Sequence, residues 1–134
     1  MNYLVIGEPC VDVIHKINGE KIHSYGGILY SVISMAILSG ENDTIIPLMN
    51  LGEDEFENVI NIFKKYPKIK THGINKVNHP TRKVNLYYNL YNTDKQARIE
   101  KSTEPTYTLD YSYCESFLNS ADAILVNMIS GVDI

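Results

Sequence analysis

The stretch of residues 28–39 limits the possible folds of this chain more than any other feature. It follows Gly26-Gly27 directly, and its apolar residues stand at positions 28, 29, 32, 33, 35, 36, 37 and 38. On a helix these side chains cover nearly the whole circumference, which predicts a helix that is buried on most sides. The stretch is interrupted by Ser31 and Ser34 and is too short to span a bilayer. Other elements must therefore pack around it.

Short apolar runs on both sides of this helix have the length of buried strands. They cover residues 3–6 and 44–48. A strand, a helix and a second strand in this order form one unit of a parallel sheet. Later segments continue the α/β order: a helix after Gly52-Glu53-Asp54, a short helix capped by Asp110, and a buried strand over residues 123–126.

Two segments with the period of a strand interrupt this order. Residues 11–17 and 21–24 are joined at Asn18-Gly19, a dipeptide that suits a two-residue hairpin turn. In residues 82–91 apolar side chains alternate with polar ones, and a turn leads to a partner strand around residues 97–101. We therefore expect two β-hairpins beside the α/β core.

Charge and composition exclude several classes of function. The 134 residues include 16 acidic and 12 basic ones, and the net charge of −4 has the wrong sign for binding a nucleic-acid backbone. Cys10 and Cys114 are too few for a disulfide scaffold, the N-terminus has no basic leader, and the four histidines form no metal-binding pair. We expect a cytoplasmic protein that binds no nucleic acid, no membrane and no metal ion through its own residues.

The common phosphate-binding loops are absent from the sequence. No Gly-x-Gly occurs, which excludes a dinucleotide fingerprint. No Gly is followed by Lys, which excludes a Walker A loop.

Polar residues and glycines near predicted strand ends are the candidates for a binding site. Asp12 lies just past the first strand, where open α/β sheets bind ligands, and its carboxylate could accept hydrogen bonds from a polyol; the wet face of a hairpin strand is the alternative. Gly26-Gly27 could bring backbone N–H groups to ligand oxygens or could form only a tight turn. The remaining candidates, each with an ordinary structural alternative, are Ser31, Arg98 and Asn127.

Taken in order, these residues resemble the N-terminal part of the ribokinase-like, or PfkB-type, carbohydrate kinases. In that family a strand that ends in Gly is followed by a ligand-binding Asp, which matches Gly7 and Asp12 in VIGEPCVDVI. The family's sugar-binding Gly-Gly matches Gly26-Gly27 in YGGILYSVISMAILSG, and its Gly-x-Asp matches Gly52 and Asp54 in LGEDEFENVI. The segment ADAILVNMISGVD resembles the strand and switch region that follow the family's lid strands.

Two positions depart from the family pattern. The family often has Asn four positions after the second Gly, where this chain has Ser31, and a further Gly where this chain has Glu57. The first departure concerns the identity of the substrate, because that position lies beside the family's sugar site.

The resemblance implies a doubly wound, Rossmann-like α/β sheet with a small β-hairpin lid. Residues 1–134 would be the N-terminal part of one kinase domain, with lid strands at about 11–24 and 82–101 inserted in the core. The implied reaction is ATP- and Mg²⁺-dependent transfer of the γ-phosphoryl group to a sugar hydroxymethyl group, and the implied substrate-binding residues are Asp12, Gly26, Gly27, Ser31, Arg98 and Asn127.

The family's catalytic signature is missing from these residues. It is Gly-Ala-Gly-Asp, whose Asp is the general base, and it occurs nowhere in the chain. Phosphoryl transfer needs positioning and charge stabilisation of the transferred group. We therefore expect no catalytic residue here and no activity from this chain alone.

Three interpretations follow. The favoured one is the substrate-binding part of a sugar kinase, or of a nucleoside kinase; the others are a non-catalytic sugar-binding module and an assembly domain. Because residues 131–134 follow a predicted buried strand without a closing helix, we expect a truncated domain. The lid or an exposed sheet edge could pair two copies in a homodimer.

Overall fold

The computed structural model describes residues 1–88, 98–103 and 109–127. Strands and helices alternate through most of this part of the chain. In order they are β1 (Asn2–Gly7), β2 (Pro9–His15), β3 (Lys21–Gly27), α1 (Ile28–Leu38), β4 (Thr44–Gly52), α2 (Phe56–Phe63), a 3₁₀ turn (Thr71–Gly73), β5 (Ile74–Val77), β6 (Lys83–Tyr88), β7 (Arg98–Ser102), α3 (Tyr111–Leu118) and β8 (Ala123–Asn127).

One layer is a parallel sheet with the strand order β5-β4-β1-β8. Tyr3 of β1 pairs with Ile45 on one side and with Ala123 on the other. Because side chains alternate along a strand, the sheet buries apolar residues on both faces. Val5 packs with α1 and α2 on one face, whereas Leu4 and Ile6 pack with the α3 side chains on the other. This arrangement confirms the predicted doubly wound α/β sheet.

The second layer is the predicted lid, a four-stranded sheet with the order β3-β2-β6-β7. The hairpins β2–β3 and β6–β7 are both antiparallel, as expected. They are joined by parallel pairing of β2 with β6, for example Asp12 opposite Val84. The two hairpins therefore form one continuous sheet, which we call the lid sheet.

The turn of the first hairpin differs from the prediction. Lys16 N–H donates to the Glu20 carbonyl at 2.9 Å and Gly19 N–H donates to the Lys16 carbonyl at 3.0 Å, so the loop has three residues, 17–19, rather than two. Gly19 has φ +84°, while no described non-glycine residue has a positive φ. A two-residue type I′ turn at Asn18-Gly19 would need positive φ at both positions. Asn18 instead accepts the Glu20 N–H through its side chain.

Two predictions of burial are wrong. The helix α1 buries Ile28, Leu29, Val32 and Ala36, but Leu38 is 84% exposed and Tyr30 and Ile37 lie on the same open side. The strand β8 pairs with β1, yet Ile124 and Val126 are 50% and 54% exposed. In both cases the sequence is apolar, and no described element covers the side chains.

Smaller differences concern β5 and α3. The sequence analysis did not identify β5, a short polar segment that adds to the edge of the sheet beside β4. Asp110 precedes α3 as predicted but makes no side-chain hydrogen bond to the helix. None of the described helices is both long and apolar enough to cross a membrane.

Candidate functional site

A cavity of about 430 Å³ lies where the lid sheet meets the carboxyl ends of β1 and β8. In doubly wound sheets this edge is where ligands bind. The residues around it come from the β1–β2 connection, the lid strands, the start of α1 and the end of β8: Glu8, Cys10, Asp12, Gly26, Gly27, Tyr30, Arg82, Val84, Leu86, Glu100 and Asn127.

Asp12 contributes a carboxylate to this cavity from the middle of the lid sheet. It lies on β2, with Ser24 of β3 and Val84 of β6 as its neighbours across the strands. The Cys10 thiol lies 3.7 Å from Asp12 Oδ1 and is in position to donate to it. Burial, and then the neighbouring Asp12 charge, raise the pKa of Cys10 to about 12. The thiol is therefore protonated at neutral pH, as a donor to the carboxylate requires.

Gly26 and Gly27 keep the backbone open beside Asp12. A Cβ at Gly26 would lie 2.7 Å from Asp12 Oδ2 and 2.9 Å from Cys10 Sγ. Gly27 has φ +66° and ψ −138°, a conformation that is essentially restricted to glycine. Glycine is thus favoured at both positions for separate structural reasons, side-chain space at Gly26 and backbone conformation at Gly27.

Asn127 is held at the end of β8 by α1. Its side-chain Nδ2 donates to Ser31 Oγ at 2.6 Å. The backbones of β1 and β8 are so close here that a Cβ at Gly7 would collide with the Asn127 carbonyl oxygen. Ser31 is not itself among the residues that line the cavity. Its role at the cavity is therefore to hold the Asn127 side chain, rather than to line the cavity as the sequence predicts.

The six predicted site residues are thus placed as follows. One cavity is lined by Asp12, Gly26, Gly27 and Asn127. Ser31 is outside this lining, and its hydroxyl accepts a hydrogen bond from Asn127. The backbone of Arg98 begins β7, but its side chain lies outside the described residues. Whether these residues bind a ligand stays a prediction.

Sequence reasoning missed a buried ion pair in the cavity wall. Arg82 Nη1 lies 3.4 Å from Glu8 Oε2, and Arg82 Nη2 donates to Ser102 Oγ at 3.2 Å. Glu8 directly follows β1 and Arg82 directly precedes β6, so the pair connects the parallel sheet to the lid sheet. The signal in the sequence was a charged residue at each of these strand ends, but nothing local indicates that residues 8 and 82 meet.

The Gly-x-Asp motif positions the segment that carries Arg82. Asp54 Oδ1 accepts hydrogen bonds from the backbone N–H and the hydroxyl of Thr81, each at 2.9 Å. Gly52 N–H donates to Thr81 Oγ1 at 3.1 Å, and a Cβ at Gly52 would collide with the His79 carbonyl oxygen. We call the contacts among Gly52, Asp54 and Thr81 the Thr81 clamp. It fixes the residue next to Arg82.

Neither a metal-ligand cluster nor a common phosphate-binding loop is present among the described residues. Among them, no group of three His, Cys, Asp or Glu side chains is placed to hold a metal. The sequence also lacks both of the glycine loops tested above. What the cavity offers is the carboxylates of Asp12 and Glu100, an amide side chain, an ion pair and open glycine backbone, a set that suits hydroxyl groups.

Comparison with solved structures finds kinases of one fold. The fructokinase from Xylella fastidiosa matches with a TM-score of 0.74 at 15% identity, over 93% of this chain and 40% of that one. A pyrophosphate-dependent kinase of the ribokinase family, solved as a sulfate complex, has a TM-score of 0.71 at 16% identity, over 94% of this chain and 41% of that one. The nucleoside kinase from Methanocaldococcus jannaschii, an archaeal member of the ribokinase family, has a TM-score of 0.59 at 14% identity, over 78% of this chain and 37% of that one.

These matches bear on the fold and not on the substrate. The chain spans about two fifths of the length of the structures it matches. The Xylella fructokinase is also known with bound ATP. No family model and no curated protein matches the sequence. The structural matches cover most of this chain, and they establish that it has the fold of the ribokinase-family kinases.

Proposed function

We propose that this chain is the substrate-binding part of a carbohydrate kinase and that its cavity binds the sugar whose hydroxymethyl group is phosphorylated. The observation that carries the proposal is the convergence of Asp12, Gly26, Gly27 and Asn127 on one cavity. These residues are up to 115 positions apart in the sequence, and the sequence alone predicts each of them as a site residue. The fold of the solved kinases supports the same assignment.

The roles follow from the chemistry of each group. An ionised carboxylate only accepts hydrogen bonds, so Asp12 would accept from two sugar hydroxyls. The Asn127 side chain donates to Ser31, and its carbonyl oxygen can accept from a further hydroxyl. The absence of Cβ atoms at Gly26 and Gly27 would let the sugar ring approach the backbone. Together these groups would orient the sugar rather than react with it.

The phosphoryl donor would be ATP with Mg²⁺, as in the resemblance noted from the sequence. ATP is known in the Xylella fructokinase, whereas another kinase of this fold uses pyrophosphate, so the fold by itself is compatible with either donor. We assign no donor-binding residue and no step of phosphoryl transfer to the described residues. On its own the chain should show no kinase activity.

A nucleoside is the second candidate for the same cavity. One of the matched structures is a nucleoside kinase. Tyr30 stands at the cavity edge with its ring exposed, and Cys10, Val84 and Leu86 form an apolar wall. An aromatic ring and an apolar wall can hold a base as well as a sugar face.

Calorimetric titration with fructose, ribose and adenosine tests the proposal. We expect binding by at least one of them and a loss of about tenfold or more in affinity for Asp12→Asn, because a hydrogen bond to a charged group contributes about 1.5–3 kcal/mol. The matched control is Asp110→Asn, the same change next to a different cavity. It should leave the affinity unchanged. Equal affinities for wild type and Asp12→Asn would contradict the assignment of Asp12.

A further inference from the structure

The charges that line the cavity are unevenly balanced. Among the residues that the structure describes there, Glu8, Asp12 and Glu100 carry carboxylates, and Arg82 carries a guanidinium group. A dianionic ligand beside these four described side chains would therefore meet more negative than positive formal charge. Coulomb repulsion disfavours the binding of a dianion here more than it would in water, because the distances are short and the dielectric constant is lower.

The guanidinium group is already engaged by the protein. Arg82 Nη1 faces Glu8 Oε2 and Arg82 Nη2 donates to Ser102, and the two charged side chains are only 14% and 7% exposed. Burial strengthens their mutual attraction and removes the screening that water would provide. A phosphate group would have to compete with Glu8 for Arg82. The Glu8 carboxylate would also repel the phosphate.

The ion pair is incompletely satisfied within the protein. Glu8 Oε1 and Arg82 Nε are both buried without a hydrogen-bond partner. One of these atoms is an acceptor and the other is a donor. A hydroxyl group carries both a donor and an acceptor, so it is the kind of group that matches this pair of atoms. A phosphate dianion can only accept, so it leaves Glu8 unsatisfied.

We infer that the Glu8–Arg82 pair makes this cavity selective for a neutral hydroxylated ligand and that Glu8 is the residue that excludes sugar phosphates. Glu8 acts through its charge and by occupying the guanidinium group. The inference rests on the proposed function, because it concerns the ligand of the same cavity. It assigns a role to two residues that neither the sequence motifs nor the predicted site included.

Paired ligands that differ only in a phosphate group test this selectivity. Titration of the chain with fructose against fructose 6-phosphate, and with ribose against ribose 5-phosphate, should give at least about tenfold weaker binding of each phosphate. In Glu8→Gln, which frees the guanidinium group and removes the carboxylate, the phosphates should gain at least about tenfold relative to the neutral sugars.

Glu100→Gln is the matched control for this gain. It removes the same charge from the cavity lining but leaves the contact between Glu8 and Arg82 in place. The phosphates should therefore gain less than in Glu8→Gln. Equal gains in the two variants would mean that only the net charge matters, which would overturn the specific role of Glu8.

The remaining outcomes separate the two proposals. A wild-type chain that binds either phosphate more tightly than its neutral sugar overturns the selectivity and leaves the sugar site standing. A chain that binds neither adenosine nor any of these four ligands contradicts the proposed function and with it this inference. Should Glu8→Gln fail to fold, the comparison on the wild-type chain still decides whether the cavity prefers the neutral sugars.

Discussion

Gly27 shows how backbone and binding requirements can coincide at one residue. Its φ of +66° with ψ −138° lies in a region that residues with a Cβ rarely enter, and it directly precedes the first residue of α1. A substitution there would disturb the chain reversal into the helix before it could affect a ligand. Asp12 is the better probe of binding, because the change to Asn alters the charge and keeps the shape.

Gly27→Ala should accordingly lower the free energy of unfolding by about 1–3 kcal/mol without any ligand present. Urea denaturation measures it. Gly40→Ala is the control, because Gly40 is exposed and has no positive φ, and it should change the stability by less than about 0.5 kcal/mol. Equal stabilities of Gly27→Ala and wild type would show that this conformation imposes no strain.

Individual site residues could be predicted where they lie near the end of a predicted strand. Asn127 ends a strand of the parallel sheet, where ligands bind in such folds, whereas Asp12 and Gly26-Gly27 reach the same cavity from strands of the lid sheet. Glu8 and Arg82 were not identified, since their relation depends on how the lid sheet docks. An ion pair between residues 74 positions apart has no local signature.

The Thr81 clamp operates at the scale of elements, because it ties the end of β4 and the start of α2 to the segment that leads into β6. Thr81 is buried and uses both its N–H and its hydroxyl in the clamp. Thr81→Val keeps the shape of the side chain and removes the hydroxyl. The buried Gly52 N–H and the Oδ1 of the exposed Asp54 then each lose a hydrogen bond.

We expect Thr81→Val to lower the free energy of unfolding by about 1–3 kcal/mol, the cost of leaving a buried polar group without its partner. Thr103→Val offers the comparison: its hydroxyl accepts the Lys83 N–H at an exposed position, where water can replace it. Its loss should be smaller, about 0.5 kcal/mol. A Thr81→Val protein as stable as wild type in denaturant titration would rule out the clamp.

Element types followed from periodicity, but turn geometry and burial did not. The alternation around Val84 and Leu86 correctly indicated β6, with both side chains buried. The three-residue turn at 17–19 depends on the Asn18 side chain bonding to Glu20 rather than on the Asn-Gly pair itself. Burial of Leu38 or Ile124 requires a neighbouring element, and an apolar sequence cannot indicate whether the described chain supplies one.

At the scale of the whole molecule, β8 is an edge of the described sheet, and its apolar side chains are exposed. Strand edges with unpaired N–H and C=O groups recruit other chains. The open side of α1 adds Tyr30, Ile37 and Leu38 to the exposed apolar surface. Both features favour association of this chain with itself.

Light scattering after size exclusion should therefore show dimers or larger species at about ten micromolar and above. Val126→Lys places a charge on the exposed strand and should shift the distribution toward monomer. Glu115→Gln on the exposed surface of α3 controls for the same one-unit change in net charge. A monodisperse wild-type monomer at these concentrations would contradict the prediction.

The central claim is that a sugar binds between the lid sheet and the carboxyl ends of the parallel strands. Backbone amide chemical shifts recorded during titration with the best-binding sugar test it most directly. The account predicts the largest shifts at Asp12, Gly26, Gly27 and Asn127, and none at the polar cavity of Asn50, Asn75 and Tyr113 or at the lid-sheet surface around Ile17. Saturable shifts confined to either of those other cavities would contradict it.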